Sequence, residues 1–122
     1  MQNLDQIRAA KALDSADATS RQTVSKLPAM ILQNGLLAAA AFATEDKTAR
    51  AEMGAAMHAT ASHLANSQLG ISILTNKPTP KEMMTALSSA QATAFDLQRA
   101  TTESLAFLAF LKRFTTKKDK ES

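Results

Sequence analysis

Few side chains in this sequence are spaced for chemistry. The two histidines, His58 and His63, are five residues apart. On a helix that spacing turns them to different faces, whereas a metal pair sits three or four apart. A helix-surface or core-edge role is expected for each. Glu45 and Asp46 are adjacent carboxylates, and they read as a cap for the helix that follows rather than as an acid–base pair. A small hydrolase would need a carboxylate or histidine constellation built from distant residues. Loss of an activity on mutating His58, His63, Glu45 or Asp46 would reveal it. No Gly-rich phosphate loop, nucleophile elbow or carboxylate cluster with metal spacing is present. Cysteine is absent, which removes disulfides, Cys-based zinc sites, Fe–S clusters and thiol catalysis together. The six methionines read as core filler. The expectation is a protein that is not an enzyme, with no metal and no cofactor.

The elements that would carry any site are helical. Of 122 residues, 25 are Ala, one is Val and four are Ile. That balance favours helix and argues against strands. The expected fold is all-α, one domain over 1–122, a compact bundle of about five to six helices. A first helix is read from Asn3 to Thr23, with a joint at Ser25-Lys26-Leu27-Pro28 and Pro28 in the first turn of the next helix. The region from Pro28 to Thr44 is apolar on nearly every side and so expected to be buried. Gln33-Asn34-Gly35 stops or kinks it, because Gly takes positive φ cheaply. A third helix is read over 46–65, and residues 66–76 as helix or turn. Thr79-Pro80-Lys81-Glu82 is a capping box with Pro at the first helical position, and that helix ends at Ser88-Ser89. The last helix runs from Gln91 to Phe114. Leu97, Leu105, Leu108 and Leu111 line one stripe of it, and Phe107, Phe110 and Phe114 line another. Two stripes mean either that this helix is central or that one stripe meets another subunit.

Net charge is +3, and it is unevenly placed. Residues 1–61 are balanced, while Lys112, Arg113, Lys117, Lys118 and Lys120 face only Asp119 and Glu121. The basic C-terminal end is about 112–122. Basic clusters attract phosphate backbones and anionic surfaces. They also complement the negative end of a helix dipole, and composition alone prefers that solvated reading. With no signal peptide and no apolar run near the 20 or so residues of a membrane span, a cytoplasmic location is expected.

Three stretches resemble a known family. They are Leu4-Asp5-Gln6-Ile7-Arg8-Ala9-Ala10-Lys11-Ala12-Leu13, then Lys26-Leu27-Pro28-Ala29-Met30-Ile31-Leu32-Gln33-Asn34-Gly35-Leu36 with Ala41-Phe42, and Arg99-Ala100-Thr101 leading to Leu105-Ala106-Phe107-Leu108-Ala109-Phe110-Leu111-Lys112-Arg113-Phe114. In this order they resemble the small-subunit family of the type III-B CRISPR effector, the Cmr complex. The family's usual pattern has Trp where this chain has Phe110, which keeps an aromatic anchor. Residues 45 to 90 match by length and helicity. The resemblance implies a non-catalytic helical subunit that stacks in more than one copy inside an RNA-guided ribonucleoprotein used in antiviral defence. It implies that the subunit bridges the large signalling subunit and the guide-holding subunits, and lines the groove where target RNA pairs with guide RNA. Arg8, Lys11, Lys26, Arg99, Lys112, Arg113 and Lys117 lie in or beside the matching stretches and become the candidate RNA-binding residues. Phe107, Phe110 and Phe114 become the candidate subunit interface, and Gln33 and Asn34 structural residues at the kink. Beside this stands a helical protein-binding adaptor or regulatory bundle without RNA contact, in which the Phe stripe is the docking face.

Overall fold

A computed structural model describes residues 2–45 and 51–115. Among them are six α-helices and no strand, an all-α fold as the sequence requires. The helices are α1 Leu4–Ser15, α2 Arg21–Asn34, α3 Leu36–Ala43, α4 Ala51–Leu64, α5 Pro80–Leu87 and α6 Ala94–Phe114.

Local chemistry sets their boundaries. Asn3 caps α1 reciprocally with Gln6. The first helix ends at Ser15, well short of Thr23, and passes through a 3₁₀ turn over Ala16–Ala18. Ser20 then caps α2 by accepting from the Thr23 amide. Pro28 therefore lies inside α2, where the sequence predicts a joint. The cap at Ser20 and the burial of Val24, Leu27 and Ile31 outweigh the one backbone hydrogen bond that Pro28 cannot donate. Thr79 caps α5 with Glu82, and Pro80 stands first, as the sequence indicates. The last helix begins at Ala94 rather than Gln91, because Thr93 and Asp96 form a second capping box. Residues 66–76 fold as two 3₁₀ turns, Ser67–Leu69 and Ser72–Leu74. The expected third helix is described from Ala51; its earlier residues, 46–50, lie outside the described residues.

Gly35 divides α2 from α3 with φ 89° and ψ 159°. Its N–H donates to the Ile31 carbonyl at 2.8 Å, and its carbonyl accepts from Ala39 at 3.0 Å. One residue thus ends one helix and starts the next with both backbone groups satisfied. Apolar on all sides by sequence, α3 nevertheless buries only one side. Leu36, Ala39, Ala40 and Ala43 face inward, while Ala38, Ala41 and Phe42 are exposed. Eight residues between α2, α4 and α5 have neighbours on that side only.

α6 is the central helix, packing against α1, α2, α4 and α3. Phe107, Leu108 and Leu111 are fully buried along it. Small residues let the helices around it approach closely. At Gly54 in α4 an added Cβ would stand 3.3 Å from the Ala43 carbonyl oxygen.

Replacing Gly35 by Ala meets no atom, since nothing lies within 4 Å of the added Cβ. The φ alone is unfavourable. We expect a loss of about 1–3 kcal/mol in denaturant unfolding. Gly35→Asn should not rescue it, because ψ 159° is far from the left-handed helical region that Asn tolerates.

Candidate nucleic-acid and subunit interface

The candidate cations divide according to what already holds them. Arg8 sits on α1 and Glu103 on α6. The guanidinium grips the carboxylate at two points, Nε to Oε2 and Nη2 to Oε1, each 2.8 Å. Its Nη1 donates to Asp5 at 2.9 Å. Hydrogen bonding to Glu103 raises the Arg8 pKa above its ordinary value. From α4, His63 brings Nε2 to within 2.8 Å of Glu103 Oε2. The His63 ring stacks on Phe107 with centroids 4.6 Å apart and planes 15° apart. Its Nδ1 is buried with no hydrogen-bond partner. Burial pushes the Glu103 carboxyl up; hydrogen bonds from Arg8 and His63 override that, with help from their attraction, and hold it at about 2. Arg8 is thus committed to the interior of the fold. Arg99 is committed as well, donating to the Leu69 and Gly70 carbonyls at 2.9 and 3.1 Å. It fastens the 3₁₀ segment to α6.

Lys26, Lys112 and Arg113 are exposed and Lys11 is half-exposed. None of the four pairs with a carboxylate among the described residues. Lys112 and Arg113 lie together in the last turn of α6. With Arg21 and Ala109 they line a cleft of about 450 Å³ whose described lining holds no carboxylate. Arg21 was not a candidate in the sequence. It enters by donating Nε to the Lys112 carbonyl at 3.3 Å and Nη2 to the Thr115 carbonyl at 3.0 Å. Contacts across 91 and 94 residues of sequence leave no local signal. Lys11 and Lys26 do not line this cleft, and Lys117 lies outside the described residues.

The Phe stripe separates. Phe107 is fully buried against His63, so it cannot serve as a subunit contact of the folded chain. The reason is that α6 is surrounded by α1, α2, α3 and α4, so residues of both stripes are buried. Phe110 is half-buried and Phe114 is 36% exposed, their rings tilted with centroids 6.4 Å apart. Those two remain at the surface. His58 is exposed and His63 is buried, so the histidines do occupy different faces of α4. His63 lies deeper than the core-edge position expected of it. Glu45 is exposed, and Asp46 lies outside the described residues.

Among the described residues no group of three or more His, Cys, Asp or Glu is placed to hold a metal ion. Among the described residues no helix is long and apolar enough to cross a membrane. A second cleft, of about 470 Å³, is bounded by Ile73, Lys77, Lys81, Glu82 and Thr85. Its carboxylate, Glu82, is engaged with the Thr79 amide and hydroxyl.

An all-α bundle, a basic helix end and the three sequence stretches now stand together. A family model described as CRISPR-associated protein (Cas_Cmr5) matches residues 2–117. The chain belongs to this family, the small subunits of the type III-B Cmr complex. No curated protein and no solved structure matches the chain. The family match runs through residues 45–90, where the sequence resemblance rested on length and helicity alone. As a Cmr small subunit the protein is part of a CRISPR effector complex.

For this small subunit, Glu103 makes stability depend on acid pH. Its folded pKa lies near 2, below the ordinary 4.5. Its contribution is therefore complete above about pH 5 and lost as pH falls toward 2. The span corresponds to about 3 kcal/mol. Denaturant midpoints measured across that range should fall steeply for the native chain and less steeply for Glu103→Gln. Glu103→Ala leaves Arg8 as a partly buried charge without its main partner and is expected to lose about 3–5 kcal/mol at neutral pH.

Proposed function

We propose that the chain is a non-catalytic subunit that contacts the RNA backbone from the basic end of α6. In this reading it lines the groove in which target RNA pairs with guide RNA, and stacks with further copies of itself. It lies between the large signalling subunit and the guide-holding subunits, in the cytoplasm, in antiviral RNA-guided defence. Lys112 and Arg113 carry the reading. Two adjacent exposed cations with no described carboxylate partner share one cleft. That arrangement suits phosphates, whose recognition rests on charge and shape and carries little sequence information. Lys11, Lys26 and Lys117 are secondary contacts in the same reading. Arg8 and Arg99 drop out of it, since their guanidiniums hold Glu103 and the 3₁₀ segment. Phe110 and Phe114 are the proposed protein contact, without Phe107.

An adaptor that binds only protein makes the opposite claim about the same residues. The two are separated by reconstituting the effector complex with Lys112→Glu/Arg113→Glu and titrating a complementary RNA across a potassium chloride series. Every phosphate that the variant no longer neutralises should lower the slope of log affinity against log salt by about 0.7–0.9. An unchanged slope in a fully assembled complex would sink the RNA contact and leave the protein-only reading.

A further inference from the structure

The end of α6 is held from outside. Basic side chains in the last turn of a helix can fold back onto its terminal carbonyls. Here the Leu111, Lys112 and Thr115 carbonyls already have donors. Thr115 donates its N–H to Leu111 and its hydroxyl to Lys112, and Arg21 takes Lys112 again together with Thr115. Lys112 and Arg113 are left without a described acceptor of their own.

Arg21 occupies an unfavourable place to do this. It is the first residue of α2, where the helix dipole is positive and a cation is disfavoured. The first turn of α2 contains no acidic residue. The carboxylate nearby is that of Glu52 in α4, which accepts from Ser20 and Thr23. A cation standing against its own helix's field is accounted for by what it does to another helix. Its planar fork spans two carbonyl oxygens, which a Lys point charge does not.

We propose that Arg21 is the positioning residue of the RNA-contacting end: it closes the C-terminus of α6 so that Lys112 and Arg113 stay turned outward. The inference rests on the RNA reading given above. Arg21 acts through its neighbours, fixing the last turn relative to α2.

The test uses the reconstituted complex, a fluorescein-labelled RNA complementary to the guide, and a potassium chloride series. Lys112→Ala/Arg113→Ala should lower the salt slope by about 1.5, the equivalent of two phosphates. Arg21→Ala should lower it at least as much, and Arg21→Lys, which keeps the charge and loses the fork, should behave like Arg21→Ala. A slope unchanged by the double alanine variant overturns the RNA reading itself. A double variant that lowers the slope, with Arg21→Lys indistinguishable from the native chain, overturns the positioning role alone. So does an Arg21→Ala slope that falls by no more than one phosphate's equivalent. Circular dichroism and subunit stoichiometry accompany each variant. If Arg21→Ala does not fold, Arg21→Lys carries the comparison. A folded Arg21→Lys subunit that fails to enter the complex makes Arg21 a subunit contact and overturns the proposal.

Discussion

The carboxylate of Glu103 is the point on which this bundle depends. It lies within the helix that every other long helix packs against, among buried residues that are mostly apolar. A charge there is unfavourable unless it is hydrogen-bonded and paired. Arg8 satisfies it from α1 and His63 from α4, so a single carboxylate relates three helices. Leu and Ala side chains specify that helices should meet but set their register only loosely. A bidentate ion pair with an imidazole on one of its oxygens is far more particular about rotation and height. The stack of His63 on Phe107 covers the network on one side and buries a ring that the sequence offered as a candidate subunit contact.

That arrangement also decides which cations remain for a polyanion. A guanidinium with two carboxylate oxygens is no longer free to meet a phosphate, and Arg8 is in that state. Arg99, bound to two carbonyls, is in a similar one. Two of the exposed cations, Lys112 and Arg113, stand together at the far end of α6. There a third arginine takes up backbone carbonyls and leaves two neighbours open to solvent. Arg8, Arg21 and Arg99 are used for holding, and Lys112 and Arg113 are left for solvent or partners. The holding suits the planar fork of the guanidinium, which a compact ammonium lacks.

Much of the fold was legible because helix ends are written locally. Thr79-Pro80-Lys81-Glu82 announces α5 in four residues, and Asn34-Gly35 announces the break before α3. Thr93 and Asp96 use the same grammar with a shorter acid, which placed the start of α6 three residues later than expected. Pro28 pointed the wrong way. Its usual place is a first turn, and the cap that mattered was Ser20, eight residues earlier. The candidate site was less legible. Periodicity divides α6 into a Leu stripe and a Phe stripe but does not say how many neighbours surround it, so Phe107 was sorted with Phe110 and Phe114. Arg21 and Glu103 owe their roles to partners more than 90 residues away, and no window along one chain contains both.

Those long separations bear on how the molecule is made. Arg8 waits for a carboxylate 95 residues further on, and the start of α2 waits for the end of α6. On a ribosome the central helix emerges after the described helices that pack against it. Until it does, α1, α2 and α4 have one another but lack the helix that all three pack against, and part of their apolar faces stays open. Closing such large loops delays folding, and it lengthens the interval in which a nascent chain is exposed to aggregation. A subunit destined for a multi-protein assembly thus closes its core only once α6 has been made.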